Sequence, residues 1–177
     1  FNFAYAKKLD TLRLGGGLKV VRSQISTVSG MTMAMDLGVQ YSGAVSTAEG
    51  PIDLAVSIQN LGPAMSIGGS SDPLPFKLQL GARWHISERI AGLLDGIMAV
   101  DQDPHAGLGL EGRFPLGERL AASLRGGYNV ARARGIDGLV GLSAGFGIAW
   151  DRIRLDYAWV PYGDLGSTNR ITFGYAF

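Results

Sequence analysis

The chain has no cysteine, which excludes a disulfide framework and a thiolate metal centre. Two histidines in 177 residues leave little material for an imidazole cluster. An excess of one charge is also missing: 16 Lys and Arg stand against 15 Asp and Glu, for a net +1. That balance offers no electrostatic footprint for nucleic acid. Long apolar runs are absent as well. The richest, residues 139–150, falls short of the roughly 18 residues that suggest a spanning helix. Yet 46% of the residues are hydrophobic and the mean hydropathy is +0.16. Proline is sparse at 7, glycine plentiful at 27. This is about twice the ordinary share of glycine; it disfavours helices and suits strands that pack closely or bend. The opening Phe1-Asn2-Phe3 has neither the basic segment nor the apolar core of a secretory signal.

What the chain does have is alternation of period two, in eleven segments separated by turn chemistry. Residues 1–8 place Phe1, Phe3 and Tyr5 on one face. Residues 12–22 oppose Leu12, Leu14, Leu18 and Val20 to Arg13 and Lys19. Residues 31–42 oppose Met31, Met33, Met35, Leu37, Val39 and Tyr41 to Thr32, Asp36 and Gln40. Segments 51–60 and 75–86 continue the pattern, with Asp53, Lys77, Arg83 and His85 on the polar face. Segment 90–101 is the least regular, since Leu93 and Ile97 fall beside Asp95, and a short helix is an alternative there. The remaining strands are expected at 105–114, 119–131, 138–150, 152–162 and over the last residues. There, Ile171, Phe173, Tyr175 and Phe177 oppose Arg170, Thr172, Gly174 and Ala176.

Most segments run 10–12 residues, about what a tilted strand needs to cross a bilayer. Strands of soluble proteins more often run about 5–6. The apolar face carries essentially no ionised residue near the middle of a strand. A Lys or Arg there would cost roughly 2–4 kcal/mol against lipid. The other face carries Asp36, Asp53, Asp95, Glu111 and Asp156 together with Lys77, Arg83, Arg113, Arg125 and Arg154, which reads as a lumen knitted by ion pairs. The expected fold is therefore all-β, an antiparallel transmembrane β-barrel; a soluble sandwich is the alternative. The aromatic ending resembles the signal that barrel-assembly machinery reads in bacterial outer-membrane proteins.

Loop lengths give an orientation, because such barrels keep short turns and the C-terminus on the periplasmic side. The joins near 9–11, 87–89, 116–118 and 150–152 are then periplasmic. Those near 23–30, 61–74, 132–137 and 163–169 are extracellular. Two joins depart from the trend, a longer periplasmic one at 43–50 and a short outer one at 102–104. Eleven strands with this orientation start outside, so an even-numbered barrel is expected to have further strands upstream.

Several stretches, in order, resemble the PorV/PorQ group of outer-membrane proteins, which share a FadL-like barrel. They include Tyr5-Ala6-Lys7-Lys8, the run from Gly17 to Ile25, Asp36-Leu37-Gly38-Val39, Gln59-Asn60-Leu61-Gly62-Pro63 and Leu74-Pro75. The most specific are Asp156-Tyr157-Ala158 and the run from Pro161 to Ile171. Thr168-Asn169-Arg170 stands where the family has Thr-His-Arg, and residues 90–135 match poorly. The resemblance implies a barrel of about 14 strands, of which residues 1–177 are one region without the N-terminal plug and first strands. It also implies a non-enzymatic protein without cofactor, of a group acting in type IX secretion and protein transport.

Three tempting motifs have duller readings. Gly107-Leu108-Gly109-Leu110-Glu111-Gly112 spells a dinucleotide fingerprint, but Phe114-Pro115 follows where a helix must start. Gly141-Leu142-Ser143-Ala144-Gly145 spells a nucleophile elbow, but both His85 and His105 precede it and the alternation runs straight through. Asp101, Asp103 and His105 surround Pro104 as a solvated turn more simply than as an ion site. Trp84, Trp150, Tyr157, Trp159, Tyr162, Phe173 and Tyr175 read as interfacial girdles. Met31, Met33 and Met35 form a soft stripe facing lipid or a protein partner.

The functional expectation is a barrel that docks a secretion or surface assembly through its outer loops, with Pro161, Tyr162, Asp164, Leu165 and Arg170 as contact residues. The alternative is a FadL-like channel for hydrophobic solutes. Expected partners are outer-membrane lipid, the barrel-assembly machinery and other membrane or surface proteins.

Overall fold

The computed structural model describes residues 1–25, 27–130 and 140–176. Its strands are β1 (Asn2–Leu9), β2 (Leu12–Ile25), β3 (Val28–Ser46), β4 (Pro51–Leu61), β5 (Met65–Ile67), β6 (Ser70–Asp72), β7 (Lys77–His85), β8 (Ile90–Ala99), β9 (Gln102–Pro115), β10 (Leu120–Asn129), β11 (Leu142–Trp150), β12 (Ile153–Pro161) and β13 (Ser167–Tyr175). Eleven of them form one sheet in the order β1-β2-β3-β4-β7-β8-β9-β10-β11-β12-β13. β5 and β6 pair separately. The protein is all-β, a large antiparallel sheet. The order begins with β1 and ends with β13.

Residues 90–101, where a helix was the alternative, form β8. Its pattern is imperfect because Leu93 and Ile97 share a face with buried Ala91, while Leu94 and Met98 are exposed. Backbone pairing with strands on both sides outweighs the blurred side-chain pattern. The loop expected at 23–30 is also mostly strand. Arg22 pairs with Met31 and the ladder continues to Ile25 opposite Val28. Ser23 and Gln24 look like loop residues by polarity, but a ladder asks only for an N–H and a carbonyl. β13 likewise starts at Ser167, opposite Pro161, so the loop expected at 163–169 shrinks to a 3-10 turn, Gly163–Leu165, and its flanks.

The chain divides into two compact units. The first comprises Phe1–Val45, Asp53–Ala82 and Gly96–Pro104; the second Ser46–Ile52, Arg83–Asp95 and His105–Phe177. In the first, Asp10 takes a left-handed φ of 55° to turn β1 into β2, so that Leu9 faces Leu12. The long join expected at 61–74 contains β5 and β6 and folds onto β3. Gly68 and Gly69 (φ 60° and 91°) form the two-residue turn between β5 and β6, a primed-turn geometry that glycine adopts without strain. Met65 is buried, and Thr32 Oγ1 donates to the Pro63 carbonyl at 3.0 Å. The hairpin covers Gly30, and residues 62–63 leading into it lie against Ala34 and Thr32, the next small residues on the polar face of β3.

Gly30 makes that packing possible. A Cβ there would run into the Ser66 carbonyl and stand 2.6 Å from Ile67 Cγ1. Gly30→Val is expected to lift the hairpin off β3 at a local cost of about 1–3 kcal/mol. Amide exchange at Ser66 and Ile67 should then speed up while the β12–β13 amides stay protected; unchanged exchange at those two would refute the packing role.

In the second unit, Asp151 (φ 53°) turns β11 into β12, with Trp150 facing Ile153. The registers of β9 to β13 align side chains into rungs across five strands. One rung runs Gly112, Leu124, Phe146, Tyr157, Ile171; the next runs Phe114, Ala122, Ile148, Leu155, Phe173. The rings of Phe146 and Tyr157 meet at a tilt of 35° with centroids 5.2 Å apart. Most of these apolar side chains are exposed, to 73% for Ile171 and 68% for Phe173. Among the described residues the buried hydrophobics are only Ala34, Met65, Ala91 and Val140, and no large side chain is fully buried. An ordinary globular domain buries its Leu, Ile and Phe; here they stand outward, uncovered.

Candidate functional site

Between those apolar rungs lie the polar ones. On the second unit one polar rung runs Glu111, Arg125, Gly145, Ala158, Arg170. The adjacent one runs Arg113, Ser123, Gly147, Asp156, Thr172. Arg125 bridges the two. Its Nε meets Glu111 Oε2 at 2.9 Å, and its Nη1 meets Asp156 Oδ1 at 2.7 Å. Glu111 Oε1 also accepts from Arg83 Nη2 at 2.8 Å, and Arg154 Nε meets Asp156 Oδ2 at 2.5 Å. The result is a relay Arg83–Glu111–Arg125–Asp156–Arg154.

The relay crosses β11 because β11 offers no side chain at that point. Arg125 is on β10 and Asp156 on β12, and the strand between them contributes Gly147. A Cβ on Gly147 would collide with Asp156 Oδ1 and stand 2.6 Å from Ser123 Oγ. On the other flank, the Arg113 N–H donates to the Arg89 carbonyl at 2.7 Å. That bond sets Ala91, 4% exposed, opposite Glu111. Gly147 therefore lies where the Arg125–Asp156 pair passes over β11.

Arginines lead this face. Arg83, Glu111, Arg113, Arg125 and Arg154 line a cavity of about 270 Å³ floored by Gly147. Arg125, Asp156, Arg170 and Thr172 line a neighbouring one of about 300 Å³. The ion-paired side chains are 20–56% exposed. At such exposure each pair adds only about 0.2–1 kcal/mol, so the network orders the guanidinium groups more than it holds the sheet together.

The first unit has a smaller cluster. Lys19 Nζ meets Asp36 Oδ1 at 2.7 Å and donates to Asn60 Oδ1 at 2.5 Å. The Asn60 N–H donates to Asp36 Oδ1 at 2.9 Å, and its side-chain amide donates to the Pro75 carbonyl at 2.7 Å. Asn60 sits at a left-handed φ of 59°, which asparagine tolerates better than most residues. Asp53 accepts from the Gly43 N–H at 2.8 Å. Lys77 and Arg113 make no ion pair among the described residues.

Other expected positions are scattered. Pro161 ends β12 and is buried, Tyr162 and Asp164 are exposed, and the turn runs on through Leu165. Arg170 lies in β13 opposite Ala158, on the arginine-rich face and beyond the turn. Ile171, Phe173 and Tyr175 line one exposed face of β13; Phe177 lies outside the described residues, as does the join at 132–137. Gly107–Gly112 is inside β9, and Ser143 is inside β11 with its Oγ 3.4 Å from the Gly127 carbonyl. Neither stretch has the strand-to-helix turn that its letters would need. Among the described residues no group of His, Asp and Glu could hold a metal ion.

Sequence reasoning missed the parts of Gly147 and Asn60 in these clusters. Glycine carries no chemistry of its own, and only the register shows what passes over it. No protein-family model matches the chain, and no curated protein matches it in sequence.

Proposed function

We propose that the sheet is the wall of a transmembrane β-barrel in a bacterial outer membrane. The observation that carries this reading is the exposed apolar face on strand after strand, above almost no buried core. Lipid would cover that face and satisfy it, while the hydrogen-bonded ladder satisfies the backbone. The opposite face, with its ion pairs and glycines, would then line the lumen. Trp150, Ile153 and the turn at Asp151 would lie on the periplasmic side, and the turn at Gly163–Leu165 outside.

Within this reading the protein is a PorV/PorQ-like interaction protein that docks a secretion or surface assembly through its outer turns. Exposed Tyr162 and Asp164, held on a short turn between two paired strands, are the recognition residues. The polar relay and the hairpin folded onto β3 fill the lumen side, which suits docking better than passage of hydrophobic solutes.

The test is affinity purification from gently solubilised outer membranes, with mass spectrometry of what co-elutes. A large stoichiometric partner is expected, lost on replacing Tyr162 and Asp164 together by alanine. A lone barrel carrying fatty acid would replace the docking role by a FadL-like conduit. Absence of the protein from the outer-membrane fraction would sink the membrane reading itself.

A further inference from the structure

The geometry points to a binding site for a phosphate monoester group in the cavity between Arg83, Arg113, Arg125 and Arg154. Four guanidinium groups gather there against two carboxylates, Glu111 and Asp156. Four positive and two negative charges leave a formal excess of two. The internal relay uses some donors of Arg83, Arg125 and Arg154, but each guanidinium has five. The Arg113 guanidinium has no hydrogen-bond or ion-pair partner among the described residues. A lattice built only for stability would match charges; this one is overcharged and unfinished.

The chemistry of the excess selects the ligand. A phosphate monoester carries about −1.5 to −2 at neutral pH and three acceptor oxygens. It neutralises an excess of two and takes donors arriving from several directions. A carboxylate supplies one charge and one plane, and leaves a cation uncompensated. Guanidinium forks held by carboxylates are also preorganised, so little side-chain entropy is lost on binding. The volume, about 270 Å³, exceeds what bare phosphate fills, since a water takes about 30 Å³. It leaves room for a small organic part.

Access comes from the turns. Arg113, Ala121 and Ala149 line both this cavity and another of about 510 Å³ that reaches Gly117, Arg119 and Asp151. That outer cavity also holds Glu88, Glu118 and Asp151 against Arg113 and Arg119, so the positive excess does not extend into it. Gly147 keeps the floor open: a side chain there would occupy the space between Ser123 and Asp156.

The test is titration of the purified full chain in nonionic detergent at low salt with glycerol 3-phosphate, followed by calorimetry. A parallel arm uses dihexanoyl phosphatidic acid below its micelle concentration. Saturable sub-millimolar binding is expected. Arg113→Ala is expected to weaken it by about 10- to 100-fold, the loss of one charge-assisted contact, and Arg113→Lys by less. Arg113 takes no part in the relay, so the variant should keep its strand circular dichroism. Binding in both arms assigns a free ester, and binding of the lipid alone assigns a headgroup. No saturable binding in either arm, or equal affinity in Arg113→Ala, overturns the site. The site stands on one unit and not on the membrane reading: phosphate binding by a protein absent from outer membranes would refute that reading alone.

Discussion

Arginine in place of Phe146 is expected to stop the chain from folding into bilayers. Phe146 lies at the middle of β11, in the apolar rung with Leu124, Tyr157 and Ile171, and is 46% exposed. If lipid covers that rung, a guanidinium at mid-depth costs about 2–4 kcal/mol. Loss of the ring contact with Tyr157 removes roughly 0.5–1.5 kcal/mol more. Against a total stability of about 5–15 kcal/mol, that is enough to change the folded fraction markedly. The measurement is the heat-modifiable gel shift after dilution from urea into liposomes. Thr172→Arg is the control, because Thr172 is on the opposite face and pairs with Asp156; it should cost less than half as much. Equal costs at both positions would mean that water, or a protein partner of either face, covers the sheet, and the membrane reading would fall.

A methyl group on Gly147 should disrupt the polar face of the second unit by parting its ion-pair relay. The Cβ would collide with the carboxylate of Asp156 and crowd Ser123 Oγ and Arg125 Nη1. All three are side-chain ends, so the backbone need not move, but the Arg125–Asp156 pair must part. The expected loss for Gly147→Ala is about 1–3 kcal/mol by urea unfolding in micelles. A double-mutant cycle separates causes: in an Asp156→Ala background most of that penalty should vanish, because the colliding oxygen has gone. Additive penalties would place the cost in the β11 backbone and not in the relay.

Much of the fold is legible in the residues themselves. β-strands announce themselves where one face is apolar and the other polar, as in Met31-Thr32-Met33-Ala34-Met35-Asp36. Where the pattern blurs, so does the reading: Leu93 and Ile97 on the polar face of β8 left a helix open, and Ser23 with Gln24 hid the ends of β2. Backbone pairing extends a ladder past the point where side chains describe it. The hairpin of β5 and β6 escaped because three-residue strands carry no period. Its only local signal was Gly68-Gly69, and its stability comes from Met65 and Thr32 packing between segments far apart in the chain.

The candidate site divides in the same way. Alternation alone determined which face Arg83, Glu111, Arg113, Arg125, Arg154 and Asp156 occupy, since the parity of a strand position decides its side. It could not determine which charges meet. Pairing depends on register, and a shift of two residues would keep every side chain on its face while changing all its neighbours. The tertiary structure decided that Arg125 reaches two carboxylates, that Gly147 leaves room beneath the relay, and that Arg113 is left over. Faces are a local property of the backbone; charge matching is a property of strands brought together, and only the assembled sheet has it.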